Sequence, residues 1–289
     1  MWHILTHPLC RERRLAALWR YLSWQAGSRL LAAPVAIPIV NGARLLAVRG
    51  MTGATGNVYT GLHEFEDMAF VLHALEPGDV FADVGANIGS YTLLAAAGVG
   101  ARVVAFEPDQ GASMWLRRNV GLNCVENRVR VVEAAVGETP GTVRFTTGLD
   151  TVNHVVDVDG KAGSSTDIMV VRLDDELGDQ VPRVMKLDVE GYELPVLRGG
   201  AQLLVDTRLE AIVVELNGSG QRYGFHDSDT VALLEGAGFE RCVYDPFSRE
   251  LSPRRVDHRN DNVLFIRAGS DVGARMKSAA PFTVLGRTI

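Results

Sequence analysis

The run Asp83-Val84-Gly85-Ala86-Asn87-Ile88-Gly89 constrains this chain more than any other stretch. It closes the apolar segment Val80–Val84, which reads as a buried strand, and leads into a helical pattern over Ser90–Ala97. A strand that passes through glycines into a helix brings backbone N–H groups and a helix N-terminus to one point, where a small polar ligand can approach. Such a turn belongs to a sheet whose strands end on one side. The flanking text agrees. A helix over Glu64–Leu75, stopped by Pro77 and Gly78, precedes the run. A strand Arg102–Phe106, a helix Gly111–Asn119 and a strand Val129–Val132 follow it, then a looser stretch at 138–170. Beyond lie a strand Val184–Asp188, a helix Glu193–Val205, a strand Ala211–Leu216, a helix Ser228–Ala237, and a hairpin of Glu240–Tyr244 with Asn262–Arg267. This predicts an α/β fold: a mostly parallel seven-stranded sheet, helices on both faces and a C-terminal antiparallel hairpin.

The glycine spacing restricts the ligand. A dinucleotide turn needs G-x-G-x-x-G, but counting from Gly85 the second glycine is Asn87 and the third is Ser90. A pyrophosphate therefore loses its close approach. Asp83 at the strand end would repel a diphosphate and suits an ammonium group. Glu107 closes the next strand, in Ala105-Phe106-Glu107-Pro108, at the place from which an acid accepts hydrogen bonds from both ribose hydroxyls. Together these features point to S-adenosyl-L-methionine, with the nicotinamide cofactor of an oxidoreductase as the alternative. The expected cofactor-binding residues are Asp83, Gly85, Ala86, Asn87, Gly89, Thr92, Glu107 and Pro108, with the backbone near Ala135 for adenine. Glu133 is an alternative adenine contact.

A second motif is Val184-Met185-Lys186-Leu187-Asp188-Val189-Glu190-Gly191-Tyr192-Glu193. Strand period two puts Lys186 and Asp188 on one face at the strand's carboxyl end, where α/β sheets bind ligands. Gly191 turns the chain, Glu190 points into or near the crevice, and Glu193 suits the first turn of the next helix as a capping or turn residue. With these residues the chain resembles the FkbM family of S-adenosylmethionine-dependent methyltransferases. The matching stretches include Pro77-Gly78-Asp79-Val80, the glycine run, Glu107-Pro108, Ala134-Ala135-Val136-Gly137, Leu173-Asp174, K-x-D-x-E-G-x-E over Lys186–Glu193, and Glu215-Leu216-Asn217. The resemblance covers roughly residues 62–268. It implies a Rossmann-like class I methyltransferase fold and methyl transfer to a hydroxyl of a sugar, glycan or secondary metabolite. A cofactor-binding module without turnover is the other reading.

The candidate catalytic residues are Asp188, with Lys186 as its partner, and His154, whose imidazole can accept a proton near neutral pH. His226 is a weaker candidate for bordering the acceptor pocket; His3, His7, His63, His73 and His258 carry no expected role. Asp188, Glu190 and Glu215 could converge on a metal, but without a dense D-x-D pattern none is expected. The segment from Gly148 to His154 matches nothing in the family and is read with acceptor choice.

Charge bounds the partners. Residues 1–61 hold seven Arg against one Glu, and since the whole chain is −6, the remainder is −12. An acidic body excludes a nucleic-acid partner. The apolar run Leu30–Val40 is short and broken by Pro34 and Pro38, so no membrane span and no secretion signal are read. Cys10, Cys124 and Cys242 show neither disulfide nor zinc spacing, which fits a cytoplasmic protein. The expected organisation is an N-terminal extension 1–61, a methyltransferase domain 62–268 and a tail 269–289. In the extension, Leu15, Leu18, Trp19 and Leu22 recur at helical spacing within Arg14–Gln25. That helix is expected to pack on the body or on a second subunit of a homo-oligomer, with membrane-surface contact as the alternative. Residues 27–61 read as a short hairpin or small sheet.

Overall fold

The computed structural model describes residues 1–31, 33–146, 154–155, 165–254 and 262–289. One eight-stranded sheet organises the chain. Its strands are β1 (Val80–Val84), β2 (Arg102–Phe106), β3 (Val129–Val132), β4 (Val184–Leu187), β5 (Ala211–Glu215), β6 (Phe239–Asp245), β7 (Glu250–Pro253) and β8 (Asn262–Arg267). They lie in the order β3-β2-β1-β4-β5-β8-β6-β7. β1 to β5 pair in parallel, and β8 inserts antiparallel between β5 and β6. This is the Rossmann-like arrangement expected from the sequence, with β7 as an added edge strand on β6.

The central strands alternate between two apolar layers. Phe81, Val103, Val184 and Val213 join the cluster on one face, while Ala82, Val104, Met185 and Ile212 join the other. Helices cover both faces, which is why these strands read as continuous apolar runs rather than as alternating ones. Phe65–Ala74 and Gln110–Leu122 close the first layer through Phe65, Met68, Leu116 and Val120. Glu193–Arg198 and Asp227–Gly236 close the second through Val196, Leu197 and Leu234.

Local differences from the sequence reading have local causes. The single helix expected over Glu193–Val205 breaks into Glu193–Arg198 and Ala201–Val205. At the break, Gly199 passes so close to Gly137 that a Cβ would sit 2.1 Å from its carbonyl oxygen. The helix after the glycine run is one α turn, Ser90–Leu93, continued by a π turn, Leu94–Val99. The stretch read as loose, together with residues just outside it, forms a separate three-stranded sheet of Ala135–Val136, Gly141–Thr146 and Ser165–Val171. Gly148–Asn153 and His258 lie outside the described residues.

The extension forms the expected hairpin, Val35–Pro38 with Arg44–Ala47, and adds a helix, Thr52–Thr60. One continuous apolar cluster contains Leu9, Trp24 and Leu45 from the extension and Phe282 and Ile289 from the tail. The first long helix, Arg14–Leu30, corrects one part of the sequence reading, the packing of its stripe on the body. Of that stripe only Leu18 is partly buried; Leu15 is 84% exposed, Trp19 72% and Leu22 50%. The inner face is made instead by Ala17 and Trp24, both buried, with Arg20 donating to the Tyr59 carbonyl at 3.0 Å and Gln25 to the Tyr59 hydroxyl at 2.8 Å. A small residue and two side chains with specific partners let the helix approach closely; the bulky stripe has no receiving surface on this chain among the described residues.

At the amino end of the sheet Asp79 joins body and tail. Its carboxylate pairs with Arg183 at 3.2 Å and with Arg275 of the helix Val272–Ser278 at 2.7 Å, and accepts from the Glu76 N–H at 2.8 Å. Removing it leaves two arginines without their shared partner. Asp79→Ala is expected to lower stability in urea unfolding by about 2 kcal/mol, as loss of charge-assisted hydrogen bonds does, while leaving ligand affinity unchanged.

Candidate active site

The strands run outward in both directions from β1 and β4, so the crevice at their carboxyl ends is the topological switch point. There the chain segments nearly touch. The Asp188 N–H donates to the Val84 carbonyl at 3.0 Å, and the N–H groups of Gly85 and Ala86 both donate to the Phe106 carbonyl. Gly85 has φ +81, and a Cβ on it would lie 1.8 Å from the Asp188 carbonyl oxygen. Glycine is therefore required here because protein backbone passes, and a side chain would strike Asp188 before any ligand. Gly89 answers another contact, Leu116 Cδ1, which its Cβ would meet at 2.4 Å.

A cavity of about 290 Å³ opens at this point, lined by Asp83, Gly85, Ala86, Asn87, Glu107, Pro108 and Ala135 from the expected cofactor set and by Lys186 and Asp188 from the expected catalytic set. Gly89 and Thr92 stand behind the lining; Thr92 donates its hydroxyl to Asp83 Oδ2 at 2.6 Å. Glu133 faces away, accepting from Ser113 and Arg117. His154 is not on the cavity wall, whereas its neighbour Val155 is. Its backbone pairs with Thr146, and the Tyr223 hydroxyl donates to the Val155 carbonyl at 2.6 Å. His226 precedes the helix Asp227–Gly236 as its N-cap and also lies outside the lining.

Glu107 is buried, and its two oxygens accept from the Asn87 N–H at 2.7 Å and the Asp109 N–H at 2.8 Å. Asn87 reaches that bond from φ +51, a conformation its short amide side chain tolerates. Burial pushes the Glu107 carboxyl up to about 7 against the pull of these two donors. A carboxylate offers about four acceptor sites, so two remain for a pair of hydroxyl groups.

Asp83 and Lys186 are direct neighbours across β1 and β4. Both are buried. The Lys186 ammonium donates to Asp188 and lies 5.1 Å from the centre of the Tyr91 ring, whose hydroxyl donates to Glu64 at 2.7 Å. Burial alone would depress this lysine; the charges of Asp188, Glu64 and Asp83 outweigh it and raise its pKa. The chain thus places its own ammonium beside Asp83, where the sequence argument had left room only for a ligand's. The surplus is still negative, because seven carboxylates line the cavity against this one lysine.

Glu190, at φ +55, and Gly191, at φ +99, make the turn after β4. A Cβ at Gly191 would lie 2.5 Å from the Ser219 backbone, and buried Glu193 accepts from the N–H groups of Gly191 and Val189. Glu193 is thus the expected turn residue. Glu190 lines the cavity; burial and then the Asp188 charge push it up to about 7. Glu215, at the end of β5, is driven up to about 9 by burial and the charges of Asp188 and Glu190, and its Oε2 is enclosed with no hydrogen-bond partner among the described residues. Oxygens of Asp188, Glu190 and Glu215 fall within 4.8 Å of one another, a spacing that a divalent cation or a shared proton can bridge. Such a cluster alone does not call for a metal.

Thr52, Gly53, His63 and Glu64 also line the cavity, and no motif in the sequence marks them. Only Tyr91 carried a signal, being in the first turn of the helix that the glycine run opens.

The profile described as "Methyltransferase FkbM domain" matches residues 83–241, more than half of the chain. This chain belongs to the FkbM methyltransferase family. It is 32% identical to the 31-O-demethyl-FK506 methyltransferase FkbM of Streptomyces tacrolimicus, over 61% of this chain and 78% of that protein. It is 28% identical to the hexuronic acid methyltransferase AglP of Haloferax volcanii, over 60% of this chain and 69% of the relative. A solved precorrin-6y C5,15-methyltransferase of Geobacter metallireducens GS-15 aligns with 80% of this chain and 98% of its own, at 14% identity and a TM-score of 0.44. The enzyme is an S-adenosylmethionine-dependent methyltransferase. The cavity fits that cofactor: Glu107 keeps acceptor sites for hydroxyl donors, and the excess of carboxylates favours a ligand carrying sulfonium and ammonium charge.

The crowded carboxyls make the ligand-free enzyme sensitive to pH. Asp67, Glu107, Glu190 and Glu193 are each raised to about 7 and Glu215 to about 9, so between pH 6.5 and 8.5 the folded state holds more protons than the unfolded one. Stability must then fall as pH rises. The buried His7 and His73, lowered by burial to about 4, act oppositely, chiefly below pH 6.5 and fading by about pH 7.5. The melting temperature without ligand is expected to drop from pH 6.5 to 8.5, and Glu190→Gln should flatten the drop.

Proposed function

We propose that this enzyme transfers the methyl group of S-adenosylmethionine to a hydroxyl of a sugar or small secondary metabolite. The relatives named for 31-O-demethyl-FK506 and for hexuronic acid support an acceptor of that class. The observation that carries the chemistry is the turn after β4, where Asp188 and Glu190 share the cavity wall with the cofactor-facing Asp83, Gly85 and Glu107. Glu107 receives the ribose hydroxyls; the loop around Ala86, Asn87 and Pro108 shapes the nucleoside side, with Ala135 beside the adenine. When bound, the cofactor supplies an activated methyl group on a sulfonium, so the protein has mainly to align the acceptor and exclude water. Asp188, held by Lys186, orients the acceptor hydroxyl. Glu190 takes its proton, since a carboxyl near 7 is matched to proton transfer at neutral pH and a non-glycine residue at positive φ is a form of strain that gathers at functional sites. The three cysteines are free thiols, which supports action in a reducing compartment such as the cytoplasm.

Two sets of variants test these roles. Glu107→Ala should weaken S-adenosylmethionine binding in calorimetry by about 2–3 kcal/mol. Unchanged affinity would remove the ribose assignment. With a matched acceptor and S-adenosylhomocysteine release as readout, Glu190→Gln should lower kcat by roughly 10²–10⁴-fold and abolish the acidic limb of the pH–rate profile. Asp188→Asn should lower kcat and, by removing the charge that helps raise Glu190, move that limb to lower pH without abolishing it; His154→Ala should change neither, and a limb lost with His154→Ala would make His154 the base. Turnover is expected to survive chelation, and loss restored by Mg²⁺ would reassign Asp188, Glu190 and Glu215 as metal ligands.

A further inference from the structure

The helix Arg14–Leu30 carries its apolar stripe on the side opposite to the one that packs. At about 100° per residue, Leu15, Trp19, Leu22, Ala26 and Leu30 fall within roughly 80° of one another, and Ala17 and Trp24 lie about 180° away. The second pair is buried and the first set is exposed. Met1 and Trp2, at the start of the adjoining helix Trp2–Thr6, are exposed as well, so the first 31 residues hold seven of the eleven large apolar side chains that the described surface exposes. A patch this concentrated marks a contact surface.

Charge decides what meets it. Arg14 and Arg29 stand on one flank of the stripe, and Arg11 and Arg13 at its amino end; all four are exposed. The only acid in residues 1–61, Glu12, is paired with Arg287 of the tail at 3.2 Å. In a two-fold dimer the same patch would face itself, setting arginines against arginines with no carboxylate of the segment to answer them. An anionic bilayer meets both features at once. Tryptophan and leucine enter the acyl boundary, arginines reach the headgroups, and the body, at −12, is pushed away so that the helix side faces the lipid. We propose that the helix Arg14–Leu30 is a lipid-surface anchor that holds this methyltransferase on anionic membranes by its outward face. The helix Thr52–Thr60, which holds the inner face through Tyr59, also supplies Thr52 and Gly53 to the cavity, so anchor and active site belong to one continuous structure.

The test is flotation of the purified full chain with vesicles of phosphatidylglycerol and phosphatidylcholine or of phosphatidylcholine alone. Wild type is expected to float with the anionic vesicles, with a blue shift of tryptophan emission, and to be released at high salt. The triple variant Leu15→Gln, Trp19→Gln and Leu22→Gln alters only exposed positions. It should keep its circular-dichroism spectrum and S-adenosylmethionine affinity and lose membrane partitioning by at least about tenfold. Arg14→Gln and Arg29→Gln should each weaken partitioning to anionic vesicles by about fivefold. Failure of the wild type to float, equal binding to neutral vesicles, or flotation of the triple variant would each overturn the assignment. A dimer in light scattering that the triple variant dissociates, without vesicle binding, would give the face to a second copy of the chain.

Discussion

The rest of the site depends on the contact between the ends of β1 and β4. Gly85 and the Asp188 carbonyl are so close that no Cβ fits between them, and the Asp188 N–H bonds back to Val84. That contact fixes where the glycine turn begins and where the acidic turn after β4 begins, so the two motifs share one wall although a hundred residues separate them. Parallel register does the rest. Asp83 opposite Lys186 follows from the same pairing, and so does the position of Asp188 beside the crevice. The two glycines that look like a ligand's requirement are first of all the protein's own.

Charge is the second constraint. One buried lysine stands among seven carboxylates on the cavity wall, and several of those carboxyls are pushed into the neutral range or above it. In the folded, ligand-free enzyme this is a cost in stability, relieved by protons or by a cationic ligand. A pocket so built disfavours phosphates and receives a sulfonium-bearing cofactor. The amino end of the sheet uses charge for the opposite purpose: Asp79, Arg183, Arg275 and Glu210 pair there and fasten the tail helix to the body. Acids at one end wait for partners, and acids at the other already have them.

The sequence by itself determined the large sheet. Strands buried on both faces write themselves as apolar runs, and Val80–Val84, Arg102–Phe106, Val129–Val132 and Asn262–Arg267 appear with the bounds their hydrophobicity sets. Asp83, Glu107, Lys186 and Asp188 were legible for the same reason, since each stands at a fixed offset from a strand end. Only the tertiary structure decided what depends on distant neighbours. It turned the Leu15–Trp19–Leu22 stripe to solvent, because periodicity reports that a helix has two faces but not which one finds a surface that fits, and here Ala17, Arg20 and Trp24 fit against Tyr59 and the body. It put Val155 rather than His154 on the cavity wall, brought Thr52, His63 and Glu64 to the site, and raised Glu190, all of which require chain segments far apart in sequence to meet. A residue's chemistry is local, but its burial, and with it its proton affinity, is set by everything that packs around it.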